Sequence, residues 1–116
     1  KILSIGLDSE IDEPLPEKVL ARIGNDEEIR WVKAVKGNDL LHPGKLLFSA
    51  KEATYKAWYP IAQEWLGFQD AHVAFDSRNQ TFTTSISKSG PIEKLSGTFA
   101  IVQGVILTAI EIPITE

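Results

Sequence analysis

The 116-residue sequence contains no cysteine. A disulfide framework, a zinc site built on thiolates and a cysteine nucleophile are therefore excluded, and the chain is compatible with a reducing compartment. Positive charge is also scarce, because 12 basic residues stand against 16 acidic ones and the formal net charge is −4. Without a broad basic surface the chain does not fit the class of general nucleic-acid-binding proteins, although a few lysines suffice for a nucleotide-containing cofactor.

Long hydrophobic runs are missing as well. The longest apolar stretch, residues 99–112, is interrupted by Gln103 and Gly104 and is shorter than the roughly 20 residues of a membrane-spanning helix. With 43% hydrophobic and 24% charged residues, the composition is that of a globular protein. The length predicts one domain with a modest hydrophobic core.

Hydrophobic periodicity divides the chain into a helical middle and a strand-rich end. Helices are predicted over residues 17–23, 25–35 and 45–58, separated by loops. Pro60 removes a backbone donor and restricts the residue before it, so it is expected to break the third helix before one more helical turn over residues 62–66.

The strands are short runs of alternating or continuous apolar residues between turn residues. They are predicted over residues 2–7, 72–76, 81–87, 97–102 and 105–112. The predicted fold class is α+β, with an antiparallel sheet packed against one long helix and two or three short helices. The last strand is nearly continuously apolar, which predicts cover on both faces, by the helix on one side and by another part of the molecule or a second copy on the other.

Two carboxylates follow the first predicted strand. If that strand continues, Asp8 and Glu10 project to the same side about 6.5–7 Å apart, a spacing that lets both flank one cation. The alternative is that Asp8 begins a polar loop that runs to Pro16.

The third predicted helix has two distinct faces. At about 100° per residue, Ser49, Lys51, Glu52 and Lys56 share a polar arc, and apolar residues fill the other side. A Glu-to-Lys pair at i,i+4 is also a common feature of any solvated helix, worth about 0.2–0.5 kcal/mol. The spacing alone therefore fits either a solvated face or a face that binds phosphate and metal.

The exact residues of this helix add a family resemblance. The segment Phe48-Ser49-Ala50-Lys51-Glu52-Ala53-Thr54-Tyr55-Lys56-Ala57-Trp58 resembles the Lys-Glu-Ala-x-x-Lys signature of 4′-phosphopantetheinyl transferases of the surfactin-synthetase-activating (Sfp) type. With Trp65-Leu66-Gly67-Phe68 it is similar to the actinobacterial branch of that family. The earlier segment Ile5-Gly6-Leu7-Asp8-Ser9-Glu10 is similar to the family's other motif, a buried strand that ends in Gly-hydrophobic-Asp-x-Glu.

The resemblance implies a cytoplasmic, Mg²⁺-dependent enzyme, with Mn²⁺ as an alternative ion. Such an enzyme transfers 4′-phosphopantetheine from coenzyme A to a serine of an acyl or peptidyl carrier protein in polyketide, fatty-acid or nonribosomal-peptide biosynthesis, and releases 3′,5′-adenosine bisphosphate. Matched by position, Asp8, Glu10 and Glu52 would bind the metal, and Glu52 would also accept the serine proton. Lys51 and Lys56 would contact the phosphates of coenzyme A, and Lys56 would also stabilise the departing group.

Transferases of this type resemble a pseudo-dimer of two related halves, and the similarity covers only the second. Residues 1–116 are therefore expected to be a single domain equivalent to the C-terminal half, with the N-terminal half as a partner. Neither a nucleic acid nor a membrane is expected to bind. The acidic carrier protein is expected to dock on residues of the two short helices: Leu20, Arg22, Ile23, Arg30 and Lys33.

Two alternative functions remain open. The first is a non-catalytic module that keeps the fold and docks carrier proteins, but the retention of Asp8, Glu10, Glu52 and Lys56 argues against it. The second is a short trimeric holo-acyl-carrier-protein synthase, whose length the chain matches. The helix sequence is closer to the Sfp branch, which argues against the short enzyme. The oligomeric state, measured by light scattering, would separate a stable trimer from a half-molecule.

Overall fold

The computed structural model describes residues 2–37, 40–90 and 92–113. Its elements, in chain order, are β1 (Ile2–Ile11), α1 (Glu17–Ile23), α2 (Asp26–Val35), α3 (Pro43–Ala62), a 3-10 turn (Phe68–Asp70), β2 (Ala71–Asp76), β3 (Thr81–Ile86), β4 (Lys94–Val102) and β5 (Val105–Pro113). The strands form a five-stranded sheet in the order β1-β5-β4-β3-β2, and every pairing is antiparallel. The predicted α+β fold is confirmed.

The short helices begin and end where local sequence signals predict. Helix α1 ends at Gly24, whose N–H donates to the Leu20 carbonyl at 2.9 Å. Helix α2 begins with a capping box in which the Asn25 side chain accepts from the Glu28 N–H at 2.8 Å and the Glu28 carboxylate accepts from the Asn25 N–H at 2.9 Å. Two backbone donors that a helix start leaves unpaired are thereby satisfied.

Helix α3 is longer than the sequence predicts. It starts at Pro43 and continues through Pro60 to Ala62, and it ends at Gln63 in the left-handed conformation with φ 53°. The predicted break at Pro60 and the helical turn over residues 62–66 are wrong. Pro60 lies in the last turn on the exposed side, where its missing N–H removes one hydrogen bond near a helix end and costs little. In the described residues, no helix combines the length and the apolar character that spanning a membrane requires.

Strand β1 continues past its predicted end. It runs through Asp8 and Glu10 to Ile11 and pairs with β5, with Asp8 opposite Thr108 and Glu10 opposite Ile106. The polar-loop alternative is therefore wrong. Because side chains alternate along a strand, both carboxylates face the side of the sheet that carries α3.

The hydrophobic core lies between α3 and one face of the sheet. Its most buried members are Leu46, Leu47, Ala50, Ala53, Ala57 and Trp58 of α3, with Phe82, Phe99, Ile106 and Ile110 of the strands. Three alanines in the contact face of α3 keep its backbone close to the sheet. This close packing brings the exposed edge of α3 within reach of the carboxylates of β1.

The other face of the sheet is open along β1 and β5. Large apolar side chains are exposed there, and we call them the outer apolar face: Leu3, Ile5, Leu7, Ile11, Val102, Val105 and Leu107. Helix α3 covers one face of β5, as predicted. The other face is exposed in the described residues, and its cover by another part of the molecule or a second copy stays a prediction. Exposed apolar area of this extent is typical of a surface that another protein covers.

Candidate functional site

Strand β1 and helix α3 run in opposite directions, and their polar residues form a row along the contact between them. At one end the Ser4 hydroxyl donates to the Ala57 carbonyl at 2.7 Å. At the other end Asp12 Oδ1 and His42 Nδ1 lie 3.1 Å apart. The carboxylates of Asp8 and Glu10 lie between these two contacts. The alternation of β1 and the exposed edge of α3 therefore produce one continuous polar row.

Asp8 and Lys56 form the closest ion pair of this row. The Lys56 ammonium donates to Asp8 Oδ1 at 2.9 Å and to the Leu7 carbonyl at 3.1 Å. The Asp8 side chain is only 7% exposed, whereas that of Lys56 is 50% exposed. Asp8 Oδ2 is buried and has no hydrogen-bond partner in the described part of the chain. A buried carboxylate oxygen of this kind is costly unless another cation or donor reaches it.

Glu10 and Glu52 both resist ionisation. Burial raises the pKa of Glu10, and the neighbouring carboxylates of Asp8 and Glu52 raise it further, while Lys45 opposes the shift. Burial also raises the pKa of Glu52, and the charge of Asp8 adds to the effect against the opposing charge of Lys56. Mutual electrostatic influence shows that the carboxylates of Asp8, Glu10 and Glu52 share one region.

The chemistry of this region fits a hard divalent cation. Carboxylate oxygens are the ligands that Mg²⁺ prefers, and Mg²⁺ usually keeps several waters, so a few carboxylates are enough. The unpaired Asp8 Oδ2 and the raised pKa values of Glu10 and Glu52 are both features that a bound cation would relieve. Within the described residues, however, no three acidic, histidine or cysteine side chains already form a closed set of metal ligands.

Lys51 lies apart from this row, contrary to the arc that the sequence predicts. It is 3% exposed. Its ammonium donates to the Ile23 carbonyl at 2.6 Å, to the Phe68 carbonyl at 2.8 Å and to Glu28 Oε1 at 2.8 Å. An ammonium has three N–H donors, so the phosphate contact predicted for Lys51 has no free donor in this structure. The reason is that α2 and the 3-10 turn cover this flank of α3.

Ser49 is also removed from the polar arc by packing. Its hydroxyl lies 2.8 Å from the Thr108 hydroxyl of β5, and the Ser49 carbonyl accepts from Thr108 Oγ1 at 3.1 Å. The sheet therefore covers the second flank of α3. Only the central stripe of the predicted arc, which carries Glu52 and Lys56, remains at the surface.

The row contains residues that the sequence reasoning missed. Asp12 continues the alternation of Asp8 and Glu10 along β1, and His42, the residue before α3, is its partner. Lys45 lies on the same side of α3 as Glu52 and acts electrostatically on Glu10. The two-residue period of β1, extended past Glu10, predicts Asp12, and the seven-residue spacing on α3 predicts Lys45.

Two cavities flank the carboxylates. One, of about 160 Å³, adjoins Glu52 and is lined also by Tyr55, Trp65 and Phe68; the Tyr55 and Trp65 rings lie 5.5 Å apart. The other, of about 480 Å³, opens beside Asp8 and Lys56 and continues over β4 and β5. The larger cavity is lined mostly by outward-facing residues of β1, β4 and β5, so the room for a ligand on the same side of the sheet as the row lies in the smaller cavity.

The tryptophans occupy three different environments. Trp58 is fully buried in the core, and Trp31 stacks on Phe75 with ring centroids 4.5 Å apart. Trp65 is 68% exposed at the cavity beside Glu52. Trp58 and Trp31 therefore serve packing, whereas Trp65 is exposed at the cavity beside Glu52.

Of the five residues predicted to contact a carrier protein, two are buried and three are exposed. Leu20 and Ile23 are buried in the core, so the expectation that they contact a carrier protein is wrong. They belong to the face of α1 that packs inward. Arg22, Arg30 and Lys33 are exposed and remain available to an acidic partner.

Comparison with known proteins identifies the family of the chain. The model of the 4′-phosphopantetheinyl transferase superfamily matches residues 4–109. The 4′-phosphopantetheinyl transferase Npt of Nocardia iowensis is 41% identical over 121 residues, which cover 92% of this chain and 54% of the relative. PptT of Mycobacterium tuberculosis is 36% identical over 94% of this chain and 52% of the relative. The chain spans about half the length of these curated relatives.

A solved structure shows the same fold at low sequence identity. The holo-acyl-carrier-protein synthase of Thermotoga maritima aligns with a TM-score of 0.75 and 18% identity, over 100% of this chain and 66% of that chain. The strand and helix arrangement is thus that of the superfamily. By family match and by sequence identity, this chain belongs to the 4′-phosphopantetheinyl transferase superfamily and is a homologue of the actinobacterial transferases of Sfp type.

Proposed function

We propose that the chain carries the metal-binding and phosphoryl-transfer residues of a 4′-phosphopantetheinyl transferase. The reaction moves 4′-phosphopantetheine from coenzyme A to a serine hydroxyl of an acyl or peptidyl carrier protein and releases 3′,5′-adenosine bisphosphate. The observation that supports this most directly is the approach of Asp8 on β1 to Lys56 on α3, with Glu10 and Glu52 close enough to shift in pKa.

Phosphoryl transfer depends mainly on positioning the reactants and neutralising phosphate charge. In the proposal, Asp8, Glu10 and Glu52 hold Mg²⁺ or Mn²⁺, which when bound supplies positive charge to the diphosphate. Asp8 would contribute its unpaired oxygen, and a bound cation would favour the ionised forms of Glu10 and Glu52. The carboxylates would thereby hold the cation at the edge of α3, where the diphosphate would bind.

Glu52 is proposed to accept the proton of the attacking serine. Its carboxylate lies at the surface beside the cavity lined by Tyr55 and Trp65, where an incoming hydroxyl can reach it, and a carboxylate in that position can act as a general base. The bond that forms joins the serine oxygen to the β-phosphorus of coenzyme A. The bond that breaks releases the adenosine bisphosphate, whose new negative charge must be stabilised.

Lys56 is positioned to stabilise that charge. Two of its N–H groups are accounted for by Asp8 Oδ1 and the Leu7 carbonyl, and its side chain is half exposed. A third donor is therefore free to contact a phosphate oxygen. Lys51 is left out of this proposal because its donors are all used inside the fold.

The cavity beside Glu52 suits the pantetheine arm. Its aromatic side chains suit a thin chain that alternates amide and methylene groups. The arm would leave the diphosphate next to Glu52 and run along the packed rings of Tyr55 and Trp65. This would place the reacting phosphorus at the carboxylate row.

The outer apolar face is proposed to pack against a complementary half. The curated relatives are about twice as long as the matched segment, and exposed apolar side chains such as Leu7 and Leu107 would be buried there. In this arrangement residues 1–116 are one domain equivalent to the C-terminal half. The substrates proposed, coenzyme A and a carrier protein, assign the reaction to the cytoplasm.

Mass spectrometry of a carrier protein tests the proposal. The chain is incubated with coenzyme A and Mg²⁺, with and without the N-terminal half of a relative, and the phosphopantetheine gain is measured. We expect Mg²⁺-dependent modification that falls by about 10²–10⁴-fold in Glu52→Gln, as for the loss of a general base. Glu93→Gln, an exposed carboxylate remote from the row, is the matched control.

Two results would contradict the assignment. Modification that persists in Glu52→Gln at the wild-type rate would remove Glu52 from the mechanism. Carrier binding without any mass gain, even when the complementary half is present, would favour the non-catalytic module.

A further inference from the structure

We infer that Lys45 is a second diphosphate-binding cation of the site, contacting the phosphates from the Glu10 side while Lys56 contacts them from the Asp8 side. The inference rests on the proposed function. Lys45 lies outside the Lys51-Glu52-Ala53 signature, and its assignment comes from its position in the fold.

The helical geometry places Lys45 on the stripe that carries the site. Lys45, Glu52 and Lys56 are separated by seven and four residues along α3. At about 100° and 1.5 Å per residue, they lie within roughly 40° of one another over about 16 Å of helix. Because β1 crosses α3 in the opposite direction, Lys56 meets Asp8, and Lys45, nearer the start of α3, acts on Glu10. Cations therefore stand at both ends of the carboxylate row.

The surroundings of Lys45 leave its ammonium available. Its side chain is only 15% exposed, and its ion pair is with Glu13 Oε1 at 3.7 Å. That distance exceeds hydrogen-bond length, and the Glu13 side chain is itself 57% exposed. By contrast, Lys56 and Lys51 both donate to carboxylates at under 3 Å. A largely covered lysine with a loose partner can turn to a stronger anion at low cost.

The balance of charge around the proposed metal site gives Lys45 a role. If the three carboxylates proposed as metal ligands are ionised, one divalent ion together with Lys56 would offset them and leave no net positive charge for the diphosphate. The charge of Lys51 is already taken by buried Glu28. Lys45 supplies the surplus, and the partial exclusion of water around it strengthens its attraction for phosphate oxygens.

Isothermal titration with inorganic pyrophosphate in the presence of Mg²⁺ tests the inference on the full 116-residue chain. We expect Lys45→Gln to weaken binding about tenfold, as for the loss of a charge-assisted hydrogen bond. Lys45→Arg should stay within about threefold of wild type because the charge is kept. Lys18→Gln, which removes an exposed lysine of α1, should bind like wild type.

A titration with Mg²⁺ alone separates charge from folding damage. If Lys45 acts as a cation, Lys45→Gln should bind Mg²⁺ as tightly as wild type or more tightly, because a repulsive charge near Glu10 is removed. Glu13→Gln should bind Mg²⁺-pyrophosphate at least as well as wild type, because it frees Lys45. Equal losses for Mg²⁺ alone and for Mg²⁺-pyrophosphate would overturn the inference.

The outcomes distinguish this inference from the proposed function. If Lys56→Gln loses pyrophosphate binding but Lys45→Gln stays within twofold of wild type, the inference about Lys45 is wrong and the proposed function stands. If the wild-type chain binds neither Mg²⁺-pyrophosphate nor Mg²⁺-coenzyme A, even with a complementary half, both are wrong.

Discussion

Gly6 of β1 lies so close to Ala53 of α3 that a β-carbon at Gly6 would be 2.0 Å from the Ala53 carbonyl oxygen. The same atom would be 2.7 Å from the Ala57 nitrogen. Only a hydrogen fits between the two backbones at this point. Since Asp8 and Glu10 follow on the same strand, this contact determines how near they lie to Glu52 and Lys56.

The Gly6→Ala variant should therefore damage both stability and the site. The added methyl group meets backbone atoms that cannot move aside independently, and overpacking of this kind costs about 1–3 kcal/mol or more. We expect a lower urea midpoint and weaker Mg²⁺ binding. Gly90→Ala is the control, because its β-carbon would contact the Trp58 ring at an ordinary 3.8 Å; equal effects of the two changes would disprove the steric explanation.

The residues of the candidate site could be proposed from the sequence because they lie in two motifs. Asp8 and Glu10 have the two-residue period of a strand, and Glu52 and Lys56 have the four-residue period of a helix face. The resemblance to known transferases resolved the choice between a strand and a polar loop at Asp8. Their roles in metal and phosphate binding stay predictions.

Contacts with other elements determine which polar residues of α3 are exposed, because the helical period does not specify those contacts. Lys51 and Ser49 border the polar arc of α3, and their burial depends on α2, the 3-10 turn and β5, which are remote in sequence. The break expected at Pro60 is likewise overridden, since its lost hydrogen bond falls on the exposed side of the last turn. The angular position of a residue on a helix does not determine whether another element covers that residue.

Neutralising Glu52 should stabilise the metal-free chain. Burial, followed by the charge of Asp8, raises the pKa of Glu52 above 4.5, so the folded state holds this proton more tightly than the unfolded chain does. Stability from the protonated group is fully present below about pH 4.5 and is lost as pH rises through the raised pKa. Glu52→Gln imitates the protonated form and avoids this loss.

Urea unfolding at two pH values measures this effect. At pH 7.5 without divalent ions, the midpoint of Glu52→Gln should exceed that of wild type, and the difference should shrink as the pH falls toward 4.5. Adding Mg²⁺ should stabilise wild type more than the variant, because wild type keeps the full carboxylate set. Glu93→Gln should match wild type throughout; a Glu52→Gln midpoint at or below wild type at pH 7.5 would refute the prediction.

The buried pair of Lys51 and Glu28 should be essential to the fold and strongly coupled. Glu28 also accepts from the Asn25 N–H at 2.9 Å and from the Val73 N–H at 2.7 Å, so it joins α2, β2 and α3 at one point. Burial lowers the pKa of Lys51, against the favourable contact with Glu28. Such a pair gives little net stability, yet removing one partner leaves a buried charge and costs about 3–5 kcal/mol.

A double-variant cycle measured by urea unfolding checks this coupling. Lys51→Met alone should lower the free energy of unfolding by about 3–5 kcal/mol, because the Glu28 carboxylate loses its counter-charge. Adding Glu28→Gln removes that charge and leaves one amide oxygen, which can accept from either the Asn25 N–H or the Val73 N–H but not from both. We therefore expect the double variant to recover part of the loss, with a coupling energy above about 1 kcal/mol. Additive losses would show that Lys51 stabilises the fold through its carbonyl contacts alone, independently of Glu28.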